Sequence, residues 1–280
     1  MSCDWDPVFH RRSPIFEPLR PIARELDNAT WPDLDELSHL AAAKALVTAS
    51  GIPIRFVPQR RAAQSYESRI YFGGEVQTRL RNWHDLLNAL VWLTFPRAKA
   101  ALNARHLAAL AQRASAGGLN RGPIADALTL FDEGGIIVVS SSARLLELLT
   151  TFQWKALFWA SRSEVLARMK FLVLGHALYE KALEPYLGVT GRAVLFEVET
   201  QWLGLPLDEQ LRAVDAMLSA CIADRGRFQT TLELAPLPVL GVPGWDPENA
   251  RAAYYDNTQY FRGRERRYHA RVINAREAGT

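Results

Sequence analysis

The spacing of apolar residues along the chain predicts a protein that is built mainly from helices. Between residues 34 and 50, apolar side chains recur at largely helical intervals, and the pattern ends at Gly51 with Pro53 beyond it. The same periodicity predicts further helices over residues 82–94, 97–113, 123–131, 143–158, 164–183 and 207–223, with a short one at 15–26. Phe95-Pro96 separates two of them, since proline suits the first turn of a helix.

Short runs of β-branched and aromatic residues predict a few strands among these helices. The runs are residues 54–57, 66–72, 136–140 and 192–198, and glycine pairs end or precede two of them. Helices therefore dominate a small sheet of about four short strands. The predicted fold class is α+β.

The distribution of prolines predicts three parts along the chain. Residues 1–33 contain five of the fifteen prolines and are expected to form an N-terminal arm. Residues 34–235 are expected to form a single helical α+β domain, and residues 236–280 a proline-rich loop followed by a basic, aromatic C-terminal arm.

Composition narrows the class of protein. With 49% hydrophobic and 22% charged residues over 280 positions, the chain can bury a large core. The N-terminus lacks the apolar stretch of a signal peptide, and polar residues interrupt every apolar window before the ~20 residues that a membrane span needs. Two cysteines are too few for a disulfide framework or a thiolate zinc site. We expect a cytoplasmic protein, and the net charge of +3 neither requires nor excludes an anionic partner.

One helix has a polar stripe with unusual chemistry for a solvated surface. On the helix 82–94, His84, Asp85 and Asn88 lie on one side, opposite a face of leucines and valine. Exposed helix faces usually hold Lys, Glu or Arg, so this combination favours a functional site. A helix cap or a hydrogen-bonded surface cluster is the competing interpretation.

The next helix repeats the arrangement. Lys99, Asn103 and His106 occur at i, i+4 and i+7, opposite a face of alanines. Because Pro96 forces a bend between the two helices, the two stripes can converge on one pocket, which is a hypothesis at this point. Asp126 follows at the start of the helix 123–131 and is a further candidate carboxylate.

The segment 169–183 places His176 and Glu180 in a strongly apolar helical pattern. His176 and Glu180 are one turn apart there, so both are expected to be buried and to need partners. Their simplest partners are each other, and the alternative is that they bind a divalent cation from one helix face. The common phosphate-loop, dinucleotide, His-Glu-x-x-His and nucleophile-elbow motifs do not occur.

Three segments together resemble a known family. They are YESRIYFGGEVQTRLRNWHDLLNALVWLTFPRAKAALNARH at 66–106, DALTLFDEGG from Asp126 and GHALYEKAL from Gly175. This ordered set resembles the bacterial domain-of-unknown-function family numbered 3025. The resemblance implies a bacterial origin and a shared architecture in which the three segments belong to one domain, and it implies no activity or residue role.

Side-chain chemistry favours a metal-assisted hydrolase that acts on a phosphate-containing or other small polar substrate. The candidate ligands of a divalent metal ion are His84, Asp85, His106, Asp126 and His176. The candidate catalytic residues are Glu180, as a general base or outer-shell carboxylate, Lys99 and Asn88, and the candidate substrate-binding residues are Arg81, Arg97 and Asn103. A metal-free enzyme that uses His84 or His176 as an acid–base needs the same residues.

Two other classes of function compete with an enzyme. Residues 251–276 contain seven arginines, among them Arg262, Arg264, Arg266 and Arg267, interleaved with tyrosines and Phe261. That composition suits RNA or ribosome binding, although an arm that packs its aromatic rings onto the domain has the same composition. The last alternative is a non-catalytic structural protein whose inward polar groups fix helix packing.

Overall fold

The computed structural model describes residues 4–26, 30–60, 64–115, 117, 122–263 and 268–275. The fold is α+β and predominantly helical, as the sequence predicts. The α-helices are α1 (Arg20–Ala23), α2 (Leu34–Ala43), α3 (Tyr66–Gly73), α4 (Trp83–Thr94), α5 (Pro96–Ser115), α6 (Pro123–Gly134), α7 (Ala143–Thr150), α8 (Arg162–Arg168), α9 (His176–Leu183) and α10 (Leu207–Ala223). The strands are β1 (Arg55–Val57), β2 (Glu75–Gln77), β3 (Gly135–Ser140), β4 (Met169–Val173), β5 (Thr190–Glu197), β6 (Ala235–Pro238) and β7 (Val272–Asn274).

The strands form one five-stranded mixed sheet and one separate pair. In the larger sheet, β3 lies between β4, which is antiparallel to it, and β5, which is parallel. The other edge of β5 pairs with β6 near its start and with β7 near its end. Strands β1 and β2 form a small parallel pair of their own. Every residue of β3 is buried, so this strand lies at the centre of the core.

The central sheet brings two helix ends together. Helix α6 runs directly into β3, and β4 leads into α9 through Leu174 and Gly175. Because β3 and β4 are antiparallel, the end of α6 and the start of α9 meet at the same end of the sheet. The backbone N–H groups of Leu174 and Gly175 both donate to the carbonyl of Gly135, at 3.0 and 2.9 Å. Helix α4 packs against α9 and against α5 at this end.

The most strongly periodic helices have nearly the predicted bounds. Helix α10 spans the predicted residues 207–223, and α4 begins one residue after the predicted start. Asn82 is the N-cap of α4, since its side-chain oxygen accepts the backbone N–H of Asp85 at 3.0 Å. Helix α5 begins at Pro96, where the missing amide costs nothing.

The prediction of a strand at residues 66–72 is wrong, because this segment forms the helix α3. Ser65 caps its start by accepting the backbone N–H of Ser68, and Gly74 ends it in the left-handed conformation, with a φ of 66°. A Cβ at Gly74 would lie 2.1 Å from the carbonyl oxygen of Pro53, so glycine is required there. A cap before and a glycine after the apolar run were the local signals for a helix.

The prediction of one helix over residues 164–183 is also wrong. Helix α8 ends at Arg168, Met169–Val173 is the strand β4, and α9 begins only at His176. Strand β4 is largely buried, because it pairs with β3 and packs against the N-terminal segment. A short apolar run of this kind has no periodicity that distinguishes a strand from a helix.

Other predicted elements need smaller corrections. Helix α2 ends at Ala43, so the predicted helix 34–50 is too long, and only part of 143–158 is α-helical, in α7. Residues 236–238 belong to β6, and β7 lies in the segment predicted as a basic arm. Both strands pair with β5, a partner that is distant in sequence. Within the described residues, no helix is both long and apolar enough to cross a bilayer.

Asp215 on α10 provides a pH-dependent link between two helices. Its carboxylate accepts the backbone N–H groups of Arg97 and Ala98 at the start of α5, and it is buried. Burial raises the pKa of Asp215 to about 6. A raised carboxyl pKa stabilises the folded protein at low pH, and this contribution is lost as the pH rises through the folded pKa.

We therefore expect the stability of the wild-type protein, relative to Asp215→Asn, to decrease by about 2 kcal/mol between pH 4 and pH 8, since each pKa unit corresponds to about 1.4 kcal/mol. Urea unfolding of both proteins at several pH values measures this difference. Parallel stability profiles for the two proteins would contradict the raised pKa.

Candidate functional site

The polar stripes of α4 and α5 meet in one cavity of about 450 Å³. Residues of helices α3 and α6 also line it, as does the first residue of α9. Among the candidate residues, those that line the cavity are His84, Asp85, Asn88, Lys99, Asn103, His106 and His176. Glu180 does not line the cavity itself, but its carboxylate contacts His84, which does.

Two histidines lie in direct contact at this cavity. The Nε2 atoms of His84 and His176 are 3.1 Å apart, and the two rings are nearly perpendicular, at 81°. The remaining nitrogen of His84, Nδ1, lies 2.8 Å from Oε2 of Glu180. The sequence suggested a hydrogen bond between His176 and Glu180, but His84 lies between them because α4 packs against α9.

The ring of His176 is held by the end of another helix. Its Nδ1 lies 2.8 Å from the backbone carbonyl oxygen of Asp132, in the last turn of α6, where helix carbonyls lack partners within the helix. A carbonyl only accepts hydrogen bonds, so Nδ1 carries a proton and Nε2 points away, toward His84. Burial lowers the pKa of His176 to about 4, so its ring is neutral near pH 7.

The contact between the two histidines requires either a hydrogen on one of the two Nε2 atoms or a cation between them. Two imidazole lone pairs that face each other at 3.1 Å repel, so either a proton or a metal cation must lie between the Nε2 atoms. If it is a proton, it belongs to Nε2 of His84. The pair of His84 and Glu180 then carries two protons in all, so either the imidazole is charged or the Glu180 carboxyl is neutral. If it is a metal cation, both Nε2 atoms are ligands.

A buried lysine lies beside the histidines. Lys99 is 4% exposed, and its Nζ donates to Oδ1 of Asn88 at 2.9 Å and to Oδ1 of Asp132 at 2.5 Å. The ammonium also lies 5.5 Å from the ring centre of Trp92. Although burial by itself raises the pKa of Asp132, the charge of Lys99 lowers it below its ordinary value. Asp132 thus binds Lys99 by its side chain and His176 by its carbonyl.

The amide of Asn88 connects Lys99 to a phenol in the cavity wall. Its Nδ2 donates to the hydroxyl oxygen of Tyr66 at 3.2 Å. Burial of this hydroxyl and the charge of Asp132 raise the pKa of Tyr66 above its ordinary value, so the phenol keeps its proton.

The other candidate residues in the cavity have structural partners. Asp85 accepts the backbone N–H and two guanidinium nitrogens of Arg79, at 2.6 to 2.9 Å. His106 contacts Glu67 through Nδ1 and Thr129 through Nε2, both at 3.0 Å. Asn103 donates to the backbone carbonyl of Glu67 at 3.0 Å.

Three candidate residues lie away from this cavity. Arg81 and Asp126 are exposed and do not line it, and Arg97 lines a different cavity beside α10. The five predicted metal ligands thus do not converge on one point. Across the described part of the chain, no group of three or more His, Cys, Asp or Glu side chains is arranged to hold a metal ion.

The aromatic residues of the C-terminal segment pack inside the protein. Tyr255, Tyr260 and Phe261 are buried, so their rings cannot stack on bases in this conformation. Arg262 is exposed, and its backbone carbonyl accepts the indole N–H of Trp154 at 2.7 Å. Arg264, Arg266 and Arg267 lie outside the described residues.

Comparison with protein families matches residues 54–266 to the family described as "Protein of unknown function (DUF3025)". The chain belongs to the DUF3025 family. The match contains every residue that lines the cavity, and Glu180 as well. Comparisons of the DUF3025 chain with curated proteins and with solved structures find no match.

Sequence reasoning missed two important residues of the DUF3025 cavity. Residues 66–72 were predicted as a strand, and that prediction gave no reason to expect Tyr66 beside Asn88. Asp132 lies in the segment DALTLFDEGG, and its two contacts depend on Lys99 and His176, which are distant in sequence. The position of Asp132 in the last turn before Gly134-Gly135 was the signal for a free carbonyl at a helix end.

Proposed function

We propose that the DUF3025 protein is a metal-assisted hydrolase, with a divalent ion bound between Nε2 of His84 and Nε2 of His176. The observation that supports this most directly is the 3.1 Å separation of these two nitrogens. Imidazole nitrogens that bind a common ion at about 2.1 Å are about 3.0 to 3.4 Å apart for ligand angles between 90° and tetrahedral.

The outward nitrogens of both rings support the same proposal. Histidines that bind metals usually donate their other N–H to a carboxylate or a backbone carbonyl, which fixes the ring and its tautomer. His84 faces the carboxylate of Glu180, and His176 faces the carbonyl of Asp132. In this proposal Glu180 would orient the ring of His84 without touching the ion, which is one of the two roles expected from the sequence.

In this proposal the ion would activate a water molecule, and the cavity would hold the substrate. Two protein ligands leave coordination positions for water and substrate, and a bound divalent ion would lower the pKa of its water so that hydroxide forms near neutral pH. The cavity of about 450 Å³ has room for a small substrate. Lys99 and Asn88 would hold neighbouring side chains of the cavity wall, Asp132 and Tyr66, in place. Asn103 would contact the substrate.

A metal-free acid–base enzyme is the second candidate, because a proton can occupy the position between the two histidines. His84 would then exchange this proton with the substrate, and Glu180 would stabilise the charged ring. Both candidates use the same residues, so metal content separates them.

Metal analysis of the untagged protein, purified without chelators, tests the proposal. We expect about one transition-metal ion per chain in the wild type and a loss of at least tenfold in His84→Ala and His176→Ala. Glu180→Gln should weaken metal affinity by about 10- to 100-fold. His39→Ala is the matched control, since His39 is exposed on α2 outside the cavity, and it should keep the full metal content.

The same proteins are then assayed for hydrolysis of small esters and amides, with and without added metal. Activity that follows metal content across the variants supports the proposal. A wild-type protein that neither retains nor binds added Zn²⁺, Mn²⁺ or Co²⁺ would exclude it, and hydrolysis by such a metal-free protein would favour the acid–base enzyme.

A further inference from the structure

The direction of the hydrogen bonds from Lys99 to Tyr66 identifies a free donor in the cavity. A lysine ammonium only donates, so the oxygen of the Asn88 amide must face Lys99. The amide nitrogen of Asn88 then faces Tyr66, and because this nitrogen only donates, the phenol oxygen must accept. The hydroxyl hydrogen of Tyr66 is thereby left for another acceptor.

This hydrogen bond chain also strengthens the final donor. Each group donates to the next in one direction, from the positive charge of Lys99 through Asn88 to Tyr66, and such chains polarise their members. The 39% exposure of Tyr66 belongs to the residue as a whole, and its hydroxyl is buried at the cavity wall, so only a ligand that enters the cavity can contact it. The raised pKa of Tyr66 keeps the donor protonated at neutral and mildly alkaline pH.

The charges of the cavity indicate which acceptor suits this donor. Besides three histidines, the basic side chains that line the described wall are Lys99 and Arg79, and each already faces a carboxylate: Lys99 faces Asp132, and Arg79 faces Asp85. Glu67 and Glu133 add negative charge to the wall. The proposed divalent ion would only balance this surplus of two carboxylates, so the cavity would have no net positive charge to attract a dianionic phosphate ester, whereas an uncharged carbonyl compound needs none.

We propose that Tyr66 is a catalytic residue that donates a hydrogen bond to the carbonyl oxygen of an uncharged ester or amide substrate. This inference rests on the proposed hydrolase function and replaces the phosphate-containing substrate expected from the sequence. Hydroxide adds to the carbonyl carbon, and the π electrons of the C=O bond move onto the oxygen that faces Tyr66. The C–O or C–N bond then breaks, and the leaving group takes the proton of the added hydroxide.

The hydrogen bond matters most when the oxygen is negatively charged, so Tyr66 would stabilise the tetrahedral intermediate more than the substrate. Asn88 and Lys99 act as positioning residues, since they orient Tyr66 without touching the substrate.

The test compares Tyr66→Phe with Tyr71→Phe, because Tyr71 lies on the same helix but does not line the cavity. The first measurement uses 1,1,1-trifluoroacetone, an uncharged carbonyl probe that forms a tetrahedral hydrate, and follows its binding by fluorine NMR. We expect about tenfold weaker binding to Tyr66→Phe than to wild type or Tyr71→Phe, the effect of one lost hydrogen bond. Inorganic phosphate should bind more weakly than the ketone.

The second measurement uses p-nitrophenyl acetate and p-nitrophenyl phosphate. Turnover of the acetate should fall by about 10²- to 10³-fold in kcat for Tyr66→Phe, with metal content unchanged, and the phosphate should be the poorer substrate. Equal ketone affinity in wild type and Tyr66→Phe, no ketone binding at all, or a preference for phosphate would overturn the assignment. Absence of metal with Tyr66-dependent ketone binding would instead overturn the metal proposal alone.

Discussion

Replacing Gly175 by alanine should destabilise the fold by about 3 kcal/mol. Gly175 is the N-cap of α9, where the chain crosses the end of α6 in backbone contact. A Cβ at this position would lie 2.5 Å from both the carbonyl oxygen of Glu133 and the amide nitrogen of Gly135. These are backbone atoms of the connection to the central strand, so neither can move without distortion of the sheet, and overpacking of this kind is costly.

Urea unfolding of Gly175→Ala and Gly204→Ala measures this effect with a matched control. A Cβ at Gly204 would have no neighbour within 4 Å, so that variant should differ from wild type by less than about 1 kcal/mol. Since His176 follows Gly175 directly, any folded Gly175→Ala protein should also bind metal more weakly than Gly204→Ala. Equal stability of the two variants would contradict the close crossing of α6 and α9.

The buried ion pair between Lys99 and Asp132 should also be important for stability. Lys99→Met would leave the Asp132 carboxylate without its main partner and remove the donor to Asn88. Breaking a buried pair on one side costs about 3 to 5 kcal/mol, and the 29% exposure of the Asp132 side chain places the expected loss near 3 kcal/mol. The loss should appear as a lower denaturant midpoint with an unchanged m-value.

Lys155 and Asp256 provide the matched control pair. Their ion pair has the same 2.5 Å distance, but the two side chains are 47% and 59% exposed. Lys155→Met should therefore cost less than about 1 kcal/mol. In double-mutant cycles with Asp132→Asn and Asp256→Asn, the coupling energy should be clearly larger for the buried pair. Equal coupling energies would show that burial of Lys99 adds nothing to its interaction with Asp132.

Local sequence signals were sufficient for the helices with regular apolar periodicity. Helices α4, α5 and α10 each contain several turns of that pattern and begin at residues that favour helix starts. An apolar stripe at helical spacing forms one face only if the segment is a helix, and that face is the one that packs on the core. The pattern therefore predicts both the helix and its inward side. It also predicted that His84 and Asn88 lie together on the polar side of α4, and that Lys99 and His106 lie together on the polar side of α5.

Short apolar segments were ambiguous for the opposite reason. Residues 66–72 and 169–173 are too short to show a helical or a strand period, and both kinds of element can bury them. Capping by Ser65 and Gly74 gives the first a helical conformation. Pairing with β3, which is more than 25 residues away, makes the second a strand, and no local pattern contains that information.

The residue types of the candidate site followed from the sequence, but their pairing did not. The sequence alone predicted that His176 lies in apolar surroundings and needs a polar partner, and that His84 and Lys99 lie on the polar stripes of two successive helices. Only the tertiary structure decided which partners they have, because His84 and His176 are 92 positions apart and meet through the packing of α4 on α9. Tyr66 and Asp132 entered the site in the same way, since contacts between distant segments depend on packing, whereas helix periodicity depends on neighbours along the chain.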